Sequence, residues 1–322
     1  MLIDKTIYIF VNQILTKLGV CVIIKNNKNI IMPIKYKTLA IINNKSGVGK
    51  QKNILDIFDK YLDKQKFALD VVNTEYAGHA IVLALKAAED DYNVVLCVGG
   101  DGTINEISRG LLYSNVIMGI IPCGSGNGLA RSLGIPMNTI KAVKWLNAAE
   151  PGLMDTISVN DLLSVNVGGI GFDALVSQKF CEMKKRGRMS YAKVILREFL
   201  HYKNSEYIII INGEKIKLKG FILSFANSSQ YGNNANIAPN ALIDDGLFNL
   251  VVLKKPHWYQ ILDLVYKVRM NILDFSKLFY EIKVSEAYVY SNYDMGHVDG
   301  EPVELGKKVH LKLLANSLKI FR

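Results

Sequence analysis

The hydrophobic positions of this chain change their rhythm near its middle. From residue 38 to 150, short apolar runs alternate with stretches whose apolar residues recur every three or four positions. Leu39–Ile42, Ala68–Val72, Val94–Val98 and Val116–Ile121 read as strands, and Ile54–Leu62, His79–Ala88 and Ile104–Leu112 as helices. That alternation predicts a parallel sheet with crossover helices. After Pro151 the texture becomes β-rich, with runs at 162–168, 207–211, 216–225, 247–253, 282–290 and 309–314. These predict a mostly antiparallel second unit with β-sandwich character, interrupted by helical excursions at about 173–202 and 256–273.

The fold class expected is therefore an N-terminal α/β domain with a parallel sheet plus an antiparallel β-sandwich C-terminal domain. The breaker pair Pro151-Gly152 marks the boundary. Residues 37–152, completed by 314–322, form the first domain, residues 153–313 the second, and residues 1–36 an extension. Within that extension Ile7, Phe10, Val11, Ile14, Leu15 and Leu18 fall on one helical stripe. A helix packed on its own core and an interfacial membrane helix both fit the stripe. Asn12, Gln13 and Lys17 interrupt the stretch, and no small-residue cleavage site follows, which argues against a spanning or signal segment.

Composition narrows the class. Half of the 322 residues are apolar and 21% are charged, an ordinary globular balance. The net charge of +10 favours an anionic partner: nucleic acid, a phosphorylated small molecule or a membrane surface. Lys184, Lys185, Arg186 and Arg188, with Lys179 and Lys193 nearby, make one basic run, but no nucleic-acid-binding motif accompanies it. Cys21, Cys97, Cys123 and Cys181 lack metal or redox spacing and point to a reduced, cytoplasmic setting.

Candidate chemistry begins at Gly99-Gly100-Asp101-Gly102-Thr103, which follows an apolar strand and opens a helical stripe. Glycines let a main chain approach phosphate closely, and free N–H groups at a helix start favour the anion. Asp101 would repel phosphate, so it points to a metal or to catalysis. A second loop, Pro122-Cys123-Gly124-Ser125-Gly126-Asn127-Gly128, also lies between strand and helix. Two such loops on one sheet edge suggest a polyphosphate. The segment Asn43 to Gln51 is not a P-loop, because Asn44 replaces its first glycine and Gln51 its hydroxyl. Gly169-Ile170-Gly171-Phe172-Asp173-Ala174 lies in the β-rich half and lacks the acidic residue that dinucleotide binding uses.

These motifs, in this order, resemble the diacylglycerol kinase catalytic family, which includes bacterial lipid kinases and sphingosine kinases and shares GGDGT with NAD kinases. The resemblance runs from about Lys37 to the C-terminus. It implies an ATP site made of Asn43, Asn44, Lys45, Ser46, Gly47, Thr74, Gly99, Gly100, Asp101, Gly102, Thr103, Ile104, Asn105 and Ser125. Asn44 departs from the family's usual proline, and the loop around Ser125 is closer to the sphingosine kinase version. The late turns Asp245-Gly246 and Asp299-Gly300 are hairpin signals in their own right. The resemblance adds magnesium (Mg2+) at Asp245, held with the main-chain carbonyls of Leu242 and Leu247. It puts a general base at Glu301, with Asp101 as competitor for that role or as holder of the catalytic metal. Asp155 falls where sphingosine kinases meet the lipid head group, although a polar residue at a strand start explains it equally. His297 reads as a surface residue beside its hairpin.

The resulting expectation is a peripherally membrane-associated lipid kinase. Its partners are ATP, a lipid substrate and a membrane surface, without nucleic acid and with a homodimer left open. An NAD kinase and a non-catalytic nucleotide-binding regulator are the alternatives.

Overall fold

All six residues of Val94–Gly99 are buried, which accounts for the unbroken apolar run that marks them in the sequence. This strand, β5, lies inside a parallel array of β3 (Tyr36–Ile42), β4 (Phe67–Asn73) and β6 (Ile117–Pro122), ordered β4-β3-β5-β6. The structure is a computed structural model. It describes residues 20–25, 28–33, 35–44, 51, 53–182, 197–199 and 201–322, with main chain alone at 20–33 and 180–182.

Helices α1 (Ile54–Tyr61), α2 (His79–Glu89), α3 (Asp101–Leu111), α4 (Gly128–Ser132) and α5 (Thr139–Ala148) make the crossovers. Their apolar stripes close one core with the strands, from Ile54 and Phe58 through Ile104 and Ile107 to Leu146. Helix α3 starts three residues earlier than the periodicity predicts. Asp101, Gly102 and Thr103 thus form its first turn, a turn whose polar residues hide it from a hydrophobic count.

Pro151 does not end an element; it begins β7 (Pro151–Val159), ahead of the strand start that one reading put at Asp155. This strand runs antiparallel to the 14-residue β18 (Lys308–Phe321). Strand β18 joins both halves. Its end lies parallel to β6 at Lys319 and Ile320, while its start pairs with β15 (Glu286–Tyr290). One sheet therefore runs through the molecule in the order β11-β10-β15-β18-β6-β5-β3-β4, with β10 (Ser205–Ile211) and β11 (Glu214–Gly220) at its far edge. Strand β8 (Leu162–Ser164) pairs beside β7.

The second sheet is antiparallel: β14 (Phe279–Val284), β13 (Phe248–Leu253), β12 (Ile222–Ala226), β9 (Val167–Gly171), β16 (Met295–Val298) and β17 (Glu301–Glu304). Ile157, Ile209, Val289 and Leu311 of the first sheet meet Ile170, Leu223, Phe225 and Leu250 of the second. This is the sandwich core. Its run 162–168 splits into two strands and 216–225 breaks at Phe221.

Helices α6 (Phe172–Glu182) and α7 (Ile261–Met270) occupy the two expected excursions. Residues 20–25 and 28–33 form a hairpin, β1 with β2, as the β-branched run Val-Cys-Val-Ile-Ile favours. The stripe from Ile7 to Leu18 lies outside the described residues, as do Lys45, Ser46, Gly47 and the basic residues 184–193.

Phe321 closes the first core. Its ring meets Tyr36 and Phe67 edge-on at 6.1 and 6.0 Å. Truncation at Phe321→Ala leaves a cavity beneath the strand that joins the halves, and is expected to lower stability by about 3–5 kcal/mol in urea denaturation. A loss below about 1 kcal/mol would show that β18 does not depend on this anchor.

Candidate functional site

The two glycine loops touch. A Cβ on Gly100 would lie 3.0 Å from the Gly124 Cα, so only glycines allow this approach. Gly99 carbonyl accepts from the N–H groups of Cys123 and Gly124 at 2.7 and 3.3 Å. Asp101 completes the junction: Oδ2 accepts from Asn127 N at 2.8 Å and Oδ1 from Gly128 N at 2.7 Å. These are the donors expected to be free for phosphate in the second loop. The acid that phosphate binding could not explain is instead a clamp between the loops. Burial pushes the Asp101 carboxyl up to about 6, outweighing its main-chain donors, and nearby Asp299 adds to the rise.

Asn43 reaches the same edge. Its N–H donates to Val98 O at 3.0 Å and its Nδ2 to Thr103 Oγ1 at 3.0 Å. Asn44 Nδ2 donates to Asn73 Oδ1 at 2.9 Å, beside Thr74, whose N–H bonds Ile42 O. Gln51, which fills the position a P-loop gives to its hydroxyl, is buried and donates to the carbonyls of Asn43 and Asn44 at 3.3 and 2.8 Å. It braces the turn from inside. Ser125 is exposed at the tip of the second loop.

From the other unit comes the turn between β16 and β17. Asp299, buried and left-handed at φ 50°, accepts four hydrogen bonds. Oδ1 takes Ser164 Oγ at 2.8 Å and Asn166 N at 2.9 Å; Oδ2 takes Val165 N at 2.9 Å and Asn105 Nδ2 at 2.7 Å. Two residues on, the Glu301 carboxylate lies over α3. A Cβ on Gly102 would come within 2.6 Å of Glu301 Oε1. Burial raises the Glu301 carboxyl, Glu106 and Asp299 raise it further, and Arg109 opposes them. Glu106 is itself fixed, accepting from the N–H groups of Gly78 and Ala80 at 2.9 and 3.2 Å at the start of α2.

His297 is buried rather than exposed, because β16 turns it beneath this loop. Its Nε2 lies 3.1 Å from Asp173 Oδ2, and its Nδ1 accepts from Gly300 N at 3.3 Å. Asp173 Oδ2 also accepts from Tyr231 Oη at 2.6 Å. The sequence reading missed this Asp173, Tyr231, His297 network, whose members are far apart in the chain. The only local sign was an acidic residue ending the glycine-rich 169–173 segment.

Asp155 is likewise buried. Oδ2 accepts from Gly246 N at 2.9 Å and Oδ1 from Asn316 N at 2.7 Å. It fills the bulge where β18 shifts register against β7, and both oxygens are taken by main chain. Beside it, Asp245 Oδ1 accepts from Leu247 N at 3.2 Å and Oδ2 from Lys283 Nζ at 2.7 Å. Leu242 is exposed on the same loop. As they stand, the one carboxylate of this set holds the Lys283 ammonium, which a divalent ion at Asp245 would have to displace.

Two outcomes follow from this geometry. Asp101 is ordinarily half-protonated near pH 3.8 and near about 6 when folded, so the folded state takes up the proton first. The stability this group contributes is full below about 4 and is lost as pH rises through about 6, so wild type gains on Asp101→Asn between about pH 7 and pH 5 in denaturant titrations. A pH-independent difference would remove the clamp's titration. At Asp245, magnesium is expected to leave the wild-type Tm unchanged and to raise that of Lys283→Met; a rise for wild type would show that the ion displaces the lysine.

With this geometry in place, likeness to known proteins can be weighed. Residues 37–159 match the diacylglycerol kinase catalytic domain, and residues 166–272 match the YegS C-terminal NAD kinase beta sandwich-like domain. A probable lipid kinase YegS-like protein of Pseudomonas syringae pv. tomato is 31% identical over 218 residues, 65% of this chain and 70% of the relative. The diacylglycerol kinase of Bacillus subtilis is 28% identical, covering 64% of this chain and 69% of its own. Among solved structures, a diacylglycerol kinase from Bacillus anthracis shares the fold at a TM-score of 0.71 and 23% identity, over 88% of this chain and 96% of that one. By these matches, both domains in order, the chain is an enzyme that belongs to the diacylglycerol kinase catalytic family of lipid kinases.

Proposed function

We propose that this enzyme transfers the γ-phosphate of MgATP to a lipid hydroxyl, of diacylglycerol or a sphingoid-type lipid, with Glu301 as general base. The observation that carries this reading is the meeting of Glu301 with Gly102. A late turn of the β-rich unit delivers a carboxylate to the first turn of the phosphate-loop helix. Among the described residues no hydrogen bond occupies that carboxylate, whereas both oxygens of Asp101 are taken. Protonating Asp101 would weaken a main-chain bond that holds the two loops together, whereas Glu301 can take up a proton without losing one, so Glu301 is assigned the base role and Asp101 orientation.

In this reading Asn43, Asn44 and Thr74 line the nucleotide side, together with the loop from Gly99 to Asn105 and with Ser125. Lys45, Ser46 and Gly47, outside the described residues, would complete it. Magnesium arrives with ATP as part of the substrate and supplies charge neutralisation of the phosphates. The protein's own part is positional. Asp299 fixes the turn, Asp101 locks the two loops, and Glu301 accepts the proton as the lipid oxygen attacks phosphorus. Asp155 enters as a residue that shapes the cleft wall.

Incubation with labelled ATP and a panel of diacylglycerol, sphingoid bases, ceramide and phosphatidylglycerol tests the reading, which fails if no lipid gains phosphate. Glu301→Gln is expected to lower kcat by about 10²–10⁴-fold with the KM for ATP little changed. Full turnover by that variant would transfer the base role elsewhere. Because a base must be ionised and the Glu301 carboxyl is raised from its ordinary 4.5, the rate should decline on the acid side at a higher pH than an unperturbed glutamate gives. Gly102→Ala, which pushes the carboxylate aside, should cost at least about tenfold in kcat while Tm stays near wild type.

A further inference from the structure

Helix α7 is apolar on two faces. Leu264 and Val268 turn inward, onto a small core with Ile237, Ala238 and Leu273. Leu262, Val265, Tyr266 and Arg269, at helical spacing on the opposite face, turn outward. No residue of the helix is fully buried, and its flanks extend the outer face. Trp258 is 82% exposed, Leu262 83% and Phe275 75%, with Tyr259, Tyr266 and Met270 also open. Seven large apolar side chains exposed between residues 258 and 275, Val265 included, are far more than scattered surface hydrophobics require.

Charge says what covers them. Residues 254–277 carry Lys254, Lys255, Lys267, Arg269 and Lys277 against Asp263 and Asp274. Lys254, Arg269 and Lys277 are exposed in this segment against Asp274, while Asp263 is paired with Lys267 at 2.8 Å. Tryptophan and tyrosine with apolar body and polar tip, leucine and phenylalanine beyond them, and basic side chains long enough to reach back to head groups are the composition of an interfacial helix. We propose that α7 and its flanks, from Trp258 to Phe275, form the surface by which this enzyme lies on an anionic lipid bilayer. The choice of a bilayer over other partners rests on the lipid-kinase reading.

The surface is mechanically close to the site. Val268 carbonyl accepts from Asn236 N and Nδ2 at 3.2 and 3.1 Å. The same segment reaches the second glycine loop: Gly232 bridges Asn127, Asn233 N donates to Gly126 O at 3.3 Å, and Arg131 Nη1 donates to Asn234 Oδ1 at 2.9 Å. Docking at α7 therefore sets the attitude of the nucleotide loops over the membrane through one stretch of chain.

Cosedimentation of the full chain with phosphatidylcholine vesicles, with and without phosphatidylglycerol, tests the surface. The wild type should bind the anionic vesicles, and Trp258→Ser, Leu262→Ser and Phe275→Ser combined should weaken binding by at least about tenfold. Arg269→Glu with Lys277→Glu should abolish the preference for phosphatidylglycerol and its salt sensitivity. Tm and phosphoryl transfer to detergent-dispersed diacylglycerol should stay at wild-type values in both. Unchanged vesicle binding by the triple variant would overturn the proposal. So would a wild-type dimer that the triple variant makes monomeric without vesicles, since the strip would then be a self-association face. Should the triple variant misfold, a Trp145→Phe protein reads the site directly: anionic vesicles must shift Trp258 fluorescence to the blue, and no shift overturns the surface. If binding depends on α7 but no lipid accepts phosphate, the kinase reading alone falls.

Discussion

The junction of the two units depends on one buried carboxylate. Asp299 gathers Asn105 from α3, Ser164 from the end of β8, and Val165 and Asn166 just after it around the turn that carries Glu301. Without those four donors the carboxylate would be stranded away from water, a loss larger than any single hydrogen bond it makes. Burial still wins: its carboxyl is held above the ordinary range. The arrangement is therefore costly in isolation, and its return is positional, since four donors from two segments hold the turn in this one conformation.

Asp101 repeats the device on a smaller scale. Two main-chain donors and a Gly100–Gly124 contact leave the loops one relative position. Asp155 does so a third time, tying the bulge of β18 to the 243–247 loop. Asp101 and Asp155, which the resemblance credits with metal or proton and with substrate contact, spend both oxygens on main-chain donors, and Asp299, read only as a hairpin turn, spends both on main-chain and side-chain donors. Rigid loops are what in-line phosphoryl transfer requires, because its transition state is stabilised mainly by placement.

The first unit was legible because its inner strands β5 and β6 are buried on both faces and read as unbroken apolar runs. The start of strand β7 was hidden behind Pro151-Gly152, which looked like a breaker and instead opens a strand. The return of 314–322 to the first unit was expected, but the single sheet through both halves was not, since β18 pairs with β6, β7 and β15 at distances along the chain that no local pattern records. Motif order located Glu301, Asp101 and Asn43 near one another. It could not say which oxygens were free, a property of packing. His297 illustrates the limit: its neighbours Gly296 and Gly300 suggest an open hairpin, yet Asp173 and the turn main chain enclose it.

The division of labour between acids follows from that packing. A proton acceptor in phosphoryl transfer needs an unshared lone pair, reach across the cleft and a proton affinity closer to neutrality than a free carboxylate has. Asp101 has the affinity, but each of its oxygens already holds a main-chain donor inside the loop junction, and Asp299 is buried among four donors. Glu301 alone combines exposure, a raised carboxyl and a place against Gly102. Arg109 restrains how far its affinity rises, while Glu106, pinned by the start of α2, keeps it from falling. Helix α3 thus opens in the GGDGT loop and carries Glu106 and Arg109 along its length, so that one element positions the loop and the charges that act on Glu301 together.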